Sequence, residues 1–231
     1  KEGGEVRLFY DVFGSIGFIN TGFIQRMEAE GIQCRVFNRL MPVLNVFMNN
    51  HDHRKITVIA GKIGFTGGYN LADEYFNITH PYGYWKDIGV RLEGDAVRSL
   101  TVMFLEMWNA IKYTDTDYTP YFPQDGAQPH EAGLAGSVAD RGVDAAQSDA
   151  NIAADSASGF VQPYADSPLD GEPVGENVYM GVVKAASEYV YFTTPYLIIS
   201  DEMSRELCLA AKRGVDVRIV TPGIPDKKLV Y

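Results

Sequence analysis

The chain has 231 residues, 46% of them hydrophobic and 12% aromatic, enough to build a core in one large domain or two small ones. Its 30 acidic residues outnumber 20 basic ones, giving a formal net charge of −10. That balance argues against broad nucleic-acid binding and against purely electrostatic docking on an anionic membrane, and it leaves room for a local basic pocket.

In chain order, Val6 to Tyr10 reads as a short apolar strand, and Gly14 to Phe18 as a glycine-bearing loop. Phe23, Met27 and Glu30 fall at helical spacing before a stop at Gly31. Cys34 to Phe37 and Ile56 to Ile59 read as strands, Gly61-Lys62 as a tight turn and Ile63 to Thr66 as the returning strand. Ile88 to Leu92 is another strand. Asp95 is the expected N-cap of a helix that turns Val97, Leu100, Phe104, Trp108 and Ile111 inward.

From Tyr113 to Gly159 the composition shifts to Ala, Asp, Gly, Ser and Gln, and no period survives. Such a stretch buries too little surface to offset its ordering entropy, so 114–159 is expected to be a flexible linker. Order is expected again from Phe160. A helix follows Glu176 with Val178, Val182 and Ala185, and Tyr189 to Thr193 is a buried strand. Ser200 caps a helix with Met203, Leu207 and Ala211 inward and a stop at Gly214, and Val217 to Thr221 closes the pattern.

The two ends echo each other. Lys1-Glu2-Gly3-Gly4-Glu5-Val6-Arg7-Leu8 matches Lys212-Arg213-Gly214-Val215-Asp216-Val217-Arg218-Ile219, a helix end, a glycine stop and a strand in both. The expectation is an α/β protein with a mixed sheet flanked by helices, built from a duplicated unit. The first copy (1–113) lacks its opening elements and the second (160–231) its closing ones. The abrupt opening and close of the chain carry the same expectation of a longer parent. Cys34 and Cys208 have no metal-binding spacing and are expected to be buried free thiols. No run of about 18 uncharged apolar residues and no secretory signal occurs.

The chemistry concentrates between His53 and Asn70. His53 and Lys55 stand two apart at the head of an apolar strand, so alternation turns both to one face. Gly67-Gly68-Tyr69-Asn70 follows. An imidazole, a fixed positive charge and an amide donor beside a close-approach backbone suit a phosphoryl group. The plainer reading of Gly67 and Gly68 is a hairpin or bulge requirement. Asp87, after Trp85-Lys86, is either a partner for the His53 ring or a solvated strand-end carboxylate. His51 reads as loop, His80 and His130 as exposed, and Tyr82, Tyr84 and Trp85 as an aromatic cluster under a loop or against lipid.

These residues resemble the phospholipase D superfamily, whose signature is H-x-K-x-x-x-x-D followed by G-G-x-N, and within it the bacterial cardiolipin synthases. Asn50 to Asn77, Trp85-Lys86-Asp87, the Asp95 helix, Phe160 to Tyr179 and Lys212 to Tyr231 share that character. The resemblance implies two motifs meeting at a pseudo-twofold interface. One histidine attacks phosphorus and forms a phosphohistidine, and the other protonates the leaving alcohol and activates the incoming one. Phosphatidylglycerol would be donor and acceptor, with glycerol released and no metal or cofactor required. Carried over, His53 would be nucleophile or general acid/base, Lys55 would neutralise phosphate charge and Asn70 would donate to a phosphate oxygen. Gly67, Gly68 and Asp87 would support them.

The resemblance further implies a phospholipid substrate, a membrane surface reached through the parent protein, a bacterial cell-membrane location and no nucleic-acid partner. Other members hydrolyse phosphodiesters, and a non-catalytic head-group binder is the reading from another class. The motif aspartate falls at position 60, where this chain has Ala60. A carboxylate there is expected to orient and charge-balance its neighbours, so Ala60 favours the non-catalytic reading. No second His-x-Lys occurs, so the isolated chain is expected to be inactive unless a homodimer brings two copies of His53 together.

Overall fold

A computed structural model describes residues 4–11, 21–37, 52–123, 160–167 and 171–223. The expected Gly14–Phe18 loop, His51, His130 and the expected linker beyond residue 123 lie outside the described residues. The fold class is α/β, as expected, with the described strands in three small sheets.

Strand β1 (Val6–Asp11), helix α1 (Thr21–Ala29) and strand β2 (Ile32–Phe37) form a β–α–β unit, in which β1 and β2 pair in parallel from Val6–Ile32 to Asp11–Phe37. Gly31 ends the helix with φ of +81°, the left-handed conformation that costs glycine nothing. Strands β3 (Ile56–Ile59), β4 (Ile63–Gly67) and β5 (Gly89–Glu93) form an antiparallel meander. Helix α2 (Ala96–Ile111) packs against β2 and all three meander strands. It therefore buries more than the single stripe that its period announced. Val97, Leu100 and Trp108 are inside as expected, and Leu105 and Met107 join them. Asp95 occupies the N-cap position without a side-chain capping bond.

The first ten residues of the expected linker, 114–123, are tied to this unit. Asp115 accepts from Arg7 Nη1 at 2.9 Å and from the Tyr121 hydroxyl at 2.6 Å. Arg35 closes the end of α2 by donating to the carbonyls of Trp108 and Lys112 and to Thr114 Oγ1. Both guanidinium groups lie over the Trp108 ring, Arg35 at 4.0 Å and Arg7 at 5.2 Å from its centroid.

Helix α3 (Val174–Ala185), β6 (Tyr189–Thr193), α4 (Asp201–Lys212) and β7 (Asp216–Val220) make a second β–α–β arrangement, with β6 and β7 parallel. Its core is Val183, Val190, Met203, Leu207, Ala210 and Val215. Ser200 caps α4 as expected, accepting from the Met203 N–H at 3.1 Å. Helix α3 begins before Glu176, because Asp166 reaches forward to accept from the Gly175 N–H at 2.8 Å.

Three burial expectations are corrected here. Ala210, not Ala211, faces the core, since the sheet lies on that side of the α4 stripe. Strand β6 is buried only at Val190, because helices cover one face of its sheet and Tyr189 and Tyr191 look out from the other. Cys208 is exposed beside the buried stripe of α4, and Cys34 is half-buried, its thiol pushed up by burial and by nearby Glu28. Among the described residues no helix is long and apolar enough to cross a membrane.

Candidate functional site

The hairpin β3–β4 has two ends with different jobs. At its tip, Ala60 and Gly61 have φ of +51° and +66°, and the Lys62 N–H donates to Ile59 O at 3.0 Å. Two successive positive φ values in a two-residue loop are the type I′ pattern, which Asp-Gly and Asn-Gly favour. Position 60 is therefore the first turn residue. His53 lies three residues before the start of β3 and seven before position 60, on the order of 20 Å back at ~3.3 Å per residue. The neighbours that a carboxylate at 60 would orient are those of the hairpin tip, not His53 or Lys55. What Ala60 forfeits is turn geometry, since an alanine in the left-handed region costs about 1–2 kcal/mol. Gly61 has no room for a side chain, because a Cβ would run into the Tyr121 carbonyl oxygen.

The open end carries the predicted site. His53 is exposed and Lys55 half-buried. Lys55 Nζ lies 2.9 Å from His53 Nδ1 and donates to the His53 carbonyl oxygen at 2.6 Å. An ammonium has only donors, so Nδ1 accepts and the proton of a neutral ring sits on Nε2, pointing away from Lys55. In this state the ring presents a proton donor. Attack on phosphorus through Nε2 requires the other tautomer.

The glycines shape the floor. Gly67 pairs with Gly89, one residue past the last β3–β4 pair, Ile56–Thr66. The Tyr69 ring covers both glycines, so a Cβ on either would come within 2.7 to 2.8 Å of Tyr69 Cε1. A Cβ on Gly68 would meet Asp87 Oδ1 at 2.7 Å. Gly67 and Gly68 thus serve the close packing of Tyr69 and Asp87.

Asp87 is held by Trp85 Nε1 at 3.2 Å and by the Ile88 N–H at 2.8 Å, while the His53 ring nitrogen faces Lys55. Of the two readings of Asp87, its exposure and its bonds to Trp85 and Ile88 fit the solvated strand-end carboxylate. Asn70 is half-buried two residues past Gly68, beyond the end of β4. The structure joins His53 with Lys55, and Gly68 with Asp87; for Asn70 it gives the position only. His80 is exposed, as expected. The aromatic cluster is Tyr75, Tyr82 and Trp85, and Tyr84 turns outward. Asn77, itself at φ +56°, braces this loop by donating to Trp85 O at 2.7 Å and accepting from Trp85 N at 2.6 Å.

Sequence reasoning passed over the residues between the motif positions. Asp52 and Arg54 alternate with His53 and Lys55 and point to the opposite face, beside Phe9, Ile56, Met103, Phe104 and Met107 of a small cavity under α2. The period-2 alternation that found His53 and Lys55 also marks Asp52-x-Arg54 as a pair turned inward.

No family model matches the chain. Over all of its residues it is 43% identical to an uncharacterized protein of Streptococcus mutans and covers 44% of that protein. It is 30% identical to a cardiolipin synthase of Oceanobacillus iheyensis, and 31% identical to a cardiolipin synthase of Staphylococcus aureus over 237 aligned residues, covering 42% of each. The chain thus spans less than half the length of these relatives. Along its whole length it is similar to these cardiolipin synthases, and its described residues have the α/β fold class expected from that resemblance.

Proposed function

We propose that these residues form half of the active site of a phosphatidyltransferase, a larger protein of the relatives' size that makes cardiolipin from two phosphatidylglycerols. The observation that carries this reading is the contact of Lys55 Nζ with His53 Nδ1 just ahead of the β3–β4 hairpin. The similarity to named cardiolipin synthases supplies the reaction class.

In the proposed reaction a histidine nitrogen attacks the phosphorus of the first phosphatidylglycerol. A P–N bond forms, the P–O bond to the head-group glycerol breaks, and the partner histidine protonates the departing alkoxide. The same partner then takes the proton from a hydroxyl of the second phosphatidylglycerol, whose oxygen displaces the histidine. Lys55 offsets charge on the nonbridging oxygens, Asn70 donates to one of them, and Gly67 and Gly68 support the site by letting Tyr69 and Asp87 pack close to the backbone. The substrate places the parent protein at the bacterial cell membrane. A non-catalytic head-group binder is the alternative reading, and Ala60 at the far tip of the hairpin supports it less than a change beside His53 would.

The test is phosphatidyl transfer in vesicles of phosphatidylglycerol. The full-length parent should release glycerol, accumulate cardiolipin and yield an acid-labile phosphohistidine, and His53→Ala should abolish turnover. The 231-residue chain alone should show none, because nucleophile and acid must stand on opposite sides of phosphorus and His53 fills one role at a time. Turnover by the short chain that is lost in His53→Ala would replace this account with a homodimeric site. Unimpaired turnover by the His53→Ala parent would refute the site.

A further inference from the structure

The two residues that sequence reasoning passed over form a closed device around His53. Asp52 Oδ1 accepts from the Arg54 backbone N–H at 3.0 Å and from Arg54 Nε at 2.9 Å, and Oδ2 accepts from Arg54 Nη2 at 2.9 Å. The carboxylate therefore binds the backbone two residues on and grips the guanidinium fork at the same time. The Asp52 N–H donates in turn to Asp11 Oδ2 at 2.9 Å, which pins this turn to the end of β1.

Burial adds to the rigidity. The side chain of Asp52 is 6% exposed and that of Arg54 20%, at the edge of the cavity walled by Phe9, Met103, Phe104 and Met107. A fork-to-carboxylate pair in such surroundings is less screened than one on an open surface. On the opposite face Lys55 holds the His53 carbonyl. His53 is thus the middle residue of a three-residue loop fixed from beneath by Asp52 and Arg54 and from above by Lys55.

We propose that Asp52 is a positioning residue for His53: with Arg54 and Asp11 it holds the 52–54 backbone so that the imidazole stands beside Lys55. The proposal rests on the reading of His53 and Lys55 as the phosphate-contacting pair. It adds that the geometry of this pair is set by an ion pair on the reverse side of the strand. Without the carboxylate, the Arg54 N–H and guanidinium lose their common acceptor and the loop is free to rotate. His53 Nδ1 then separates from Lys55.

The test uses the 231-residue chain, imidazole ¹⁵N resonances of His53 and inorganic phosphate as probe. Asp52→Ala should shift the His53 resonances towards the mixed tautomer of a free imidazole, and should weaken phosphate binding about tenfold or more. Asp52→Asn keeps an acceptor for the Arg54 N–H and should recover most of the resonance position. Gly61→Ala, at the far tip of the hairpin, should lower the melting temperature and leave both readouts in place. A merely structural Asp52 would behave like Gly61.

If Asp52→Ala does not fold, Arg54→Lys decides, since an ammonium cannot reproduce the fork and should move the same resonances. Unmoved His53 resonances in the folded variants would overturn the positioning role. Absence of phosphate binding in the unaltered chain would instead count against the phosphate-site reading. The tautomer shift, which needs no ligand, would still decide the role of Asp52.

Discussion

Arg7 and Arg218 occupy matching places in the internal repeat, and their surroundings differ. Each follows an acid two residues earlier and bonds to it, Arg7 Nε to Glu5 at 2.7 Å and Arg218 Nε to Asp216 at 3.0 to 3.1 Å. Each guanidinium also lies over a ring, Tyr121 at 4.9 Å for Arg7 and Tyr191 at 5.0 Å for Arg218. From there they part. The Arg7 side chain is 14% exposed beneath Trp108, Asp115 and Tyr121, and that of Arg218 is 65% exposed. The acid-x-Arg strand fixes a local pair in both places. Burial comes from α2 and residues 114–123, which cover the Arg7 face, and among the described residues no such cover lies on Arg218.

The difference appears in the ionisation of the groups. Burial works against a charged Arg7, but hydrogen bonds to Asp115 and Glu5 outweigh it and hold the guanidinium above its ordinary value. Burial likewise pushes the Asp115 carboxyl up, and the bonds from Arg7 and Tyr121 prevail and hold it below the ordinary range. Asp216 is also held low, chiefly by its bonds from Arg218 and Tyr191, in an exposed setting that salt screens.

The comparison breaks most sharply at the tryptophan between the two arginines of the first region. Trp108→Ala should cost about 3–5 kcal/mol in urea unfolding, read from the remaining Trp85, whereas Tyr191→Ala should leave the transition of the second region unchanged. Equal losses would mean that the two strands are equally covered. Asp115→Ala should cost about 2–3 kcal/mol by leaving Arg7 partly buried without its carboxylate, and Asp216→Ala should have no measurable effect.

A pH series sharpens the same contrast. The folded Asp115 carboxyl has the lower value, so between it and the ordinary ~3.9 the unfolded chain binds more protons and stability rises with pH. Its contribution is complete above that range and is lost as pH falls through the folded value. The stability gap between the unaltered chain and Asp115→Asn should narrow below about pH 4, even in ~1 M salt. A gap independent of pH would remove the ion pair from the account. The smallest effect belongs to the hairpin tip. Ala60→Gly should stabilise by about 0.5–1 kcal/mol by relieving a left-handed alanine, with no change in phosphate affinity. A tenfold gain in phosphate affinity from Ala60→Asp would place the tip beside the site after all.

Local patterns were legible in the sequence and distant partners were not. The β3 and β6 bounds, the α4 cap at Ser200 and the shared face of His53 and Lys55 follow from period, turn chemistry and capping within a few residues. The Arg7–Asp115 pair spans 108 residues, and no local signal names it. The two-sided burial of α2 depends on sheets that its own sequence does not reveal. At the candidate site, the two-residue spacing anticipated the contact of His53 with Lys55, while the bond of Asp87 to the Trp85 indole, two residues away, carried no signal of its own. The Asp52–Arg54 pair was hidden by its more conspicuous neighbours.

The central claim is that His53 and Lys55 together receive a phosphoryl group. Its most direct test is titration of the 231-residue chain with inorganic phosphate, observed at the His53 imidazole nitrogens and the Lys55 ammonium. Saturable shifts of both groups are predicted in the unaltered chain. Lys55→Ala should weaken binding about tenfold to a hundredfold, the range of one charge-assisted contact of about 1.5–3 kcal/mol. Resonances that do not move, or equal affinity in Lys55→Ala, would contradict the assignment.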